Sequence, residues 1–86
     1  MNYNILKQVH LYLKGGNNML IAKSNEIKKR RLQKKLSKSK LSLNAGLPAN
    51  AICRIESNKH SYIYPIRAKA IANALDCKVE DIFDKQ

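Results

Sequence analysis

Residues 36–59 read LSKSKLSLNAGLPANAICRIESNK, and the pattern inside them sets the architecture of the chain. Ser37 precedes a seven-residue run, Lys38 to Asn44, that is followed at once by Ala45-Gly46-Leu47. A serine hydroxyl can accept from the free amides of a first helical turn, and glycine supplies the backbone freedom of a tight corner. The spacing therefore predicts a helix from Ser37 to Asn44, a three-residue turn at 45–47, and a second helix opening at Pro48, where a missing amide proton is tolerated. That second helix carries Ala49 to about Glu56. Ser57-Asn58 ends it, Asn being the residue after glycine that most readily takes the left-handed C-terminal conformation. Leu41, Leu47, Ile52 and Ile55 face a common interior, and Ser42 is small where the two helices cross. Two short helices joined by a Gly-containing corner form the unit that places its second helix in the major groove of DNA.

The same reading extends outward. Upstream, Ser24 or Asn25 is the expected N-cap and Glu26 the first-turn acid of a helix over about 25–36. Downstream, 59–63 reads as a loop, Tyr64-Pro65 starts a fourth helix, and Ala68, Ile71, Ala72 and Leu75 repeat at spacings of three and four. Asp76 or Cys77 should end it, and a last helix over 78–84 offers Val79, Ile82 and Phe83 to close the core. The expectation is five short helices and no strand, all-α, within a domain spanning 19–86.

Residues 1–18, MNYNILKQVHLYLKGGNN, end in Gly15-Gly16-Asn17-Asn18, the composition of a flexible linker. Two readings of this segment stand open. Lys14 to Met19 can be encoded by AAAGGAGGN-AAY-AAY-ATG, a ribosome-binding site ahead of a start codon, which makes Met19 the native start and 1–18 a translated leader. The other reading is a true arm, with Ile5, Leu6, Val9 and Leu13 near one helical face.

Eighty-six residues form one small domain, which excludes a multidomain enzyme. Seventeen Lys and Arg against six Asp and Glu give a net charge of +11, expected of a chain that meets a polyanion, nucleic acid ahead of an anionic membrane surface. With no Trp and one Phe, single-strand binding by stacked aromatics fits poorly, and duplex binding fits better. No apolar run is long enough to span a bilayer and no signal peptide follows the start, so a cytoplasmic location is expected. Cys53 and Cys77, with His10 and His60, compose neither a redox pair nor a four-ligand metal site. No phosphate loop or nucleophile constellation exists, so neither a cofactor nor enzymatic activity is expected. Thirteen Lys, nine Ile and nine Asn favour AT-rich codons and suggest a low-GC bacterium, its phage or a mobile element.

The stretch 36–59 resembles the Cro/C1-type (XRE-like) helix-turn-helix family of phage repressors and bacterial regulators, with no gap in register. IKKRRLQKKL at 27–36 is similar to that family's first helix, and IANALDCKVEDIF at 71–83 to its closing segment. The resemblance implies a five-helix, lambda-repressor-like domain. It implies base contacts from the outward face of the third helix, here Ala49, Asn50, Cys53 and Arg54. An Asn amide can pair with adenine N6 and N7, an Arg fork with guanine O6 and N7, and Ala49 with a thymine methyl. Lys38 stands where the family usually places a phosphate-contacting Gln, and Ser37, Lys40 and Lys59 join it in the phosphate-facing set. Arg31 is implied to pair with Glu56, the bland alternative being two solvated surface charges. Ser42 replaces the usual Ala, Asn58 the usual Gly, and Ser57 an Asn that often reaches phosphate. Cys53 also admits a redox reading, in which an oxidised thiol obstructs docking.

The basic run over 28–40 holds eight positive charges and no acid, while Asp76, Glu80, Asp81 and Asp84 lie near the other end, so an electrically polarised molecule is expected. The function implied is a sequence-specific duplex DNA-binding transcriptional regulator, a repressor, acting as a homodimer on a palindromic operator without membrane contact. Two rivals remain. One is an antitoxin-like module that covers a toxin or other protein partner while repressing its own operon. The other is binding by charge alone, which predicts equal affinity for scrambled duplexes.

Overall fold

A computed structural model describes residues 19–58 and 61–86. Along the chain lie β1 (Leu20–Ala22), α1 (Ser24–Gln33), α2 (Lys38–Asn44), α3 (Ala51–Ser57), β2 (Tyr62–Ile63), α4 (Pro65–Ala74), α5 (Val79–Ile82) and β3 (Phe83–Lys85). Residues 1–18 and Lys59 fall outside the described residues.

The five helices are accompanied by a three-stranded antiparallel sheet in the order β2-β1-β3, which corrects the all-α expectation. Leu20 pairs with Ile63 on one side and Lys85 on the other, and Ala22 pairs with Phe83. The helix expected over 78–84 stops at Ile82, because Phe83 turns to an extended backbone. Its ring enters the core while its main chain joins β1. Burying an aromatic ring and satisfying strand amides together outweigh another half turn of helix.

Leu20, Ala22, Ile27, Leu41, Ile52, Ile71, Ile82 and Phe83 form one buried core, so sheet and helices share an interior. Each fully buried Ile or Leu side chain contributes about 1.5 to 3 kcal/mol relative to exposure. Pro65 occupies the first turn of α4, where its ring is buried and its missing amide costs no hydrogen bond.

Three helices end by one device. Lys35 (φ 56°), Gly46 (φ 73°) and Asp76 (φ 55°) take the left-handed conformation after α1, α2 and α4. The next residue then bonds back: Leu36 N–H to Arg31 O at 3.1 Å, Leu47 to Ser42 at 2.9 Å, and Cys77 to Ala72 at 3.0 Å. Leu36, Leu47 and Cys77 pack against the core at these corners, the apolar contact that accompanies such terminations. Helix α3 ends otherwise. Asn58 is extended (φ −121°, ψ 127°), which corrects its expected left-handed role. The Ser24 hydroxyl lies 2.6 Å from the Asn58 carbonyl and 2.8 Å from that of Ile55, tying this exit to the start of α1.

Two helix starts also differ from expectation. Lys23, and neither Ser24 nor Asn25, holds the N-cap position of α1, without a side-chain cap. Ser24 has turned to α3 instead. Helix α3 begins at Ala51, since Pro48, Ala49 and Asn50 form a turn in which Ala51 N–H reaches Pro48 O at 3.0 Å. Ala49 and Asn50 therefore precede the helix instead of riding on it.

Candidate nucleic-acid interface

Helix α3 is anchored by Ile52 and Ile55, which are buried against Leu41 of α2 and the rest of the core. Because these two positions point inward, the intervening residues must point out. Ala49, Asn50, Cys53 and Arg54 are all exposed. The Asn50 side chain makes no bond to its own helix, and Arg54 enters no ion pair among the described residues.

Ser37, Lys38 and Lys40 are exposed at the start of α2. Ser37 is the N-cap, its Oγ accepting from Lys40 N–H at 3.0 Å. Ser57 is exposed, and its hydroxyl donates back to the Cys53 carbonyl at 2.7 Å. Lys59 lies outside the described residues, so its placement beside the others is not shown.

Behind this face Arg31 of α1 meets Glu56 of α3. Arg31 Nε lies 2.7 Å from Glu56 Oε2 and Nη2 lies 3.1 Å from Oε1, a two-pronged contact between side chains that are 7% and 4% exposed. A third donor, Nη1, reaches the Leu36 carbonyl at 2.8 Å. One guanidinium thus ties α1, α3 and the corner before α2. Its hydrogen bond to Glu56 raises the Arg31 pKa, against the lowering effect of burial.

The basic run is less uniform than its sequence. Arg30 pairs with Glu26 at 3.2 Å, and Lys34 with Asp76 at 2.6 Å. Lys23 approaches Asp84 at 3.6 Å. Two of the distal acids thereby fold back onto basic residues, which softens the expected polarisation. Lys28, Lys29, Lys35, Lys38 and Lys40 stay exposed and outside any ion pair among the described residues.

A groove of about 460 Å³ runs beside α3, lined by Asn50, Arg54 and Asn58 together with Tyr62 and Arg67. Arg67 is an exposed groove residue that the sequence reading did not single out. On the helical repeat of α4 it is one more solvated position, and only the tertiary fold brings it to the groove that Arg54 also lines. Tyr62, which lines the groove, and Tyr64 are both exposed.

Cys53 is an exposed free thiol; Cys77 is free and half-buried, and burial pushes its pKa up. Among the described residues no three His, Cys, Asp or Glu side chains gather as a metal site would require, and no helix is long and apolar enough to cross a membrane.

A short helix held by a buried ion pair, reached through a Gly46 corner, carrying exposed polar side chains and flanked by lysines outside any ion pair among the described residues, has the form of a helix-turn-helix DNA-binding domain. The family model of the Cro/C1-type HTH DNA-binding domain matches residues 26–86, and the chain belongs to that family. It is a DNA-binding regulator in the broad sense that the family defines. Strand β1 precedes the matched residues yet pairs with β3 inside them. No curated protein and no solved structure gives a significant match.

Proposed function

We propose that the chain is a sequence-specific transcriptional repressor that reads the major groove of duplex DNA with α3 and the turn before it. The observation that carries this is the pairing of Asn50 and Arg54. Both are exposed beside buried Ile52 and Ile55, and both are free of intramolecular side-chain partners among the described residues. Asn50 reads adenine, Arg54 reads guanine, and Ala49 and Cys53 contact neighbouring bases.

Ser37, Lys38, Lys40 and Lys59, with Arg67 of the groove beside α3, bind phosphates and set the register. Two copies bind a palindromic operator with half-sites about 34 Å apart. The working domain is 19–86, the location is cytoplasmic, and the host is a low-GC bacterium, its phage or a mobile element. N-terminal sequencing of the natural protein separates a leader from an arm at 1–18.

Selection of bound duplexes from a random pool tests the reading. A palindromic consensus is expected, with scrambled competitors bound far more weakly; equal recovery of all sequences would leave charge alone as the basis of binding.

A further inference from the structure

Helix α3 is capped from outside itself. Asn50 holds its N-cap position without making a side-chain cap, while Ile52, two residues on, donates its amide to Ser42 Oγ at 3.0 Å. Ser42 is fully buried where α2 crosses α3, and its own proton goes to the Lys38 carbonyl at 2.8 Å. That bond orients the hydroxyl with its lone pairs toward α3.

The amide that Ser42 accepts is one that a side chain at the N-cap ordinarily claims. Helix α2 shows the ordinary arrangement: Ser37 is extended (φ −74°, ψ 163°) and accepts from the third residue of its own helix. Asn50 instead has φ −94° and ψ 4°, a backbone from which its side chain does not fold over the helix end. An Asn at an N-cap with its amide unused is a costly omission unless another group has already satisfied the helix.

We infer that Ser42 is a positioning residue for base recognition: by taking the Ile52 amide from α2, it releases the Asn50 side chain from capping duty and leaves it directed at DNA. This inference rests on the proposed role of Asn50 at a base edge. Without the hydroxyl, the Ile52 amide is orphaned in the interior. The acceptor the chain can then supply is Asn50 itself, once its backbone turns extended. Ser42 thereby governs specificity while never touching DNA.

The test is a cycle of the parent, Ser42→Ala, Asn50→Ala and the double variant, each measured by urea denaturation without DNA and by binding to a selected duplex. Alanine fits the space of serine, and exchange protection of the Ile52 amide reports the same bond in every sample. In the parent background Asn50→Ala should leave the urea midpoint unchanged; in the Ser42→Ala background it should lower it, because Asn50 has become the cap. On DNA, Ser42→Ala should lose about tenfold of the discrimination at the base pair that Asn50 reads. Scrambled duplex should bind within about twofold of the parent, since phosphate contacts are kept.

Equal midpoint shifts for Asn50→Ala in both backgrounds, with discrimination intact in folded Ser42→Ala, would overturn the inference. An Asn50→Ala variant that reads DNA as the parent does overturns the base contact itself. The urea arm contains no DNA, and still decides whether Ser42 keeps Asn50 off its own helix.

Discussion

The α2–α3 corner and the three-stranded sheet are built by opposite means. The corner closes among neighbours: Leu47 N–H returns to Ser42 O and Gly46 takes the positive φ between them. The sheet closes the two ends of the described chain, Leu20 against Lys85. The corner turns polar side chains outward, whereas the sheet contributes Leu20, Ala22 and Phe83 to the interior. The difference teaches that the proposed reading surface and the stability beneath it are separable, apart from the few residues that link them.

Arg31 is such a link, so its loss should have the largest effect. Arg31→Ala leaves Glu56 buried without a partner and frees the Leu36 carbonyl, and should cost about 3 to 5 kcal/mol. Chemical denaturation should show the loss, with DNA binding falling in parallel. A variant as stable as the parent would mean that the pair is solvated.

On the sheet side, Phe83→Ala removes a ring that is 3% exposed and should cost about 3 kcal/mol in stability. Operator preference, measured where the variant remains folded, should not change. An altered consensus would break the separation between the two regions. On the corner side, Lys38→Ala should do the reverse. It should leave stability unchanged, weaken operator and scrambled duplex alike, and reduce the slope of log affinity against log salt by about one.

The smallest effects separate backbone strain from contact loss. A Cβ at Gly46 would meet nothing within 4 Å, so Gly46→Ala should destabilise only through its positive φ, by about 1 kcal/mol. Lys35 holds the same conformation without being glycine, and Lys35→Gly should stabilise by about 0.5 kcal/mol. Thermal midpoints that move in the same direction for both would contradict this account of the helix ends.

The α2–corner–α3 unit was legible because its signals are local: a capping serine, a glycine and an apolar residue at each inward turn, whereas Pro48 opened a turn ahead of the helix and not the helix itself. The strands were not, because two or three residues show no alternation and their partners lie far away in sequence. Ser24 looked like a cap because serine before a helix usually is one; its actual partners are the carbonyls of Ile55 and Asn58 at the exit of α3. Lys35 and Asp76 gave no sign of left-handed backbone, since neither is Gly or Asn, although each precedes a residue that packs on the core. Arg31 and Glu56 stand 25 residues apart, beyond any spacing rule, and only the family resemblance joined them in advance. The place of Arg67 on the groove beside α3 required the fold itself.

Base-pair discrimination by the outer side of α3 and the turn before it is the claim on which the proposed function depends. The direct measurement compares the parent, Asn50→Ala and Arg54→Ala on the duplex enriched from a random pool and on its scrambled counterpart. Each substitution should cost about 1 to 3 kcal/mol on the enriched duplex, with preference relaxed at one base pair, and little on the scrambled one. Equal losses on both duplexes, or none on either, would contradict it.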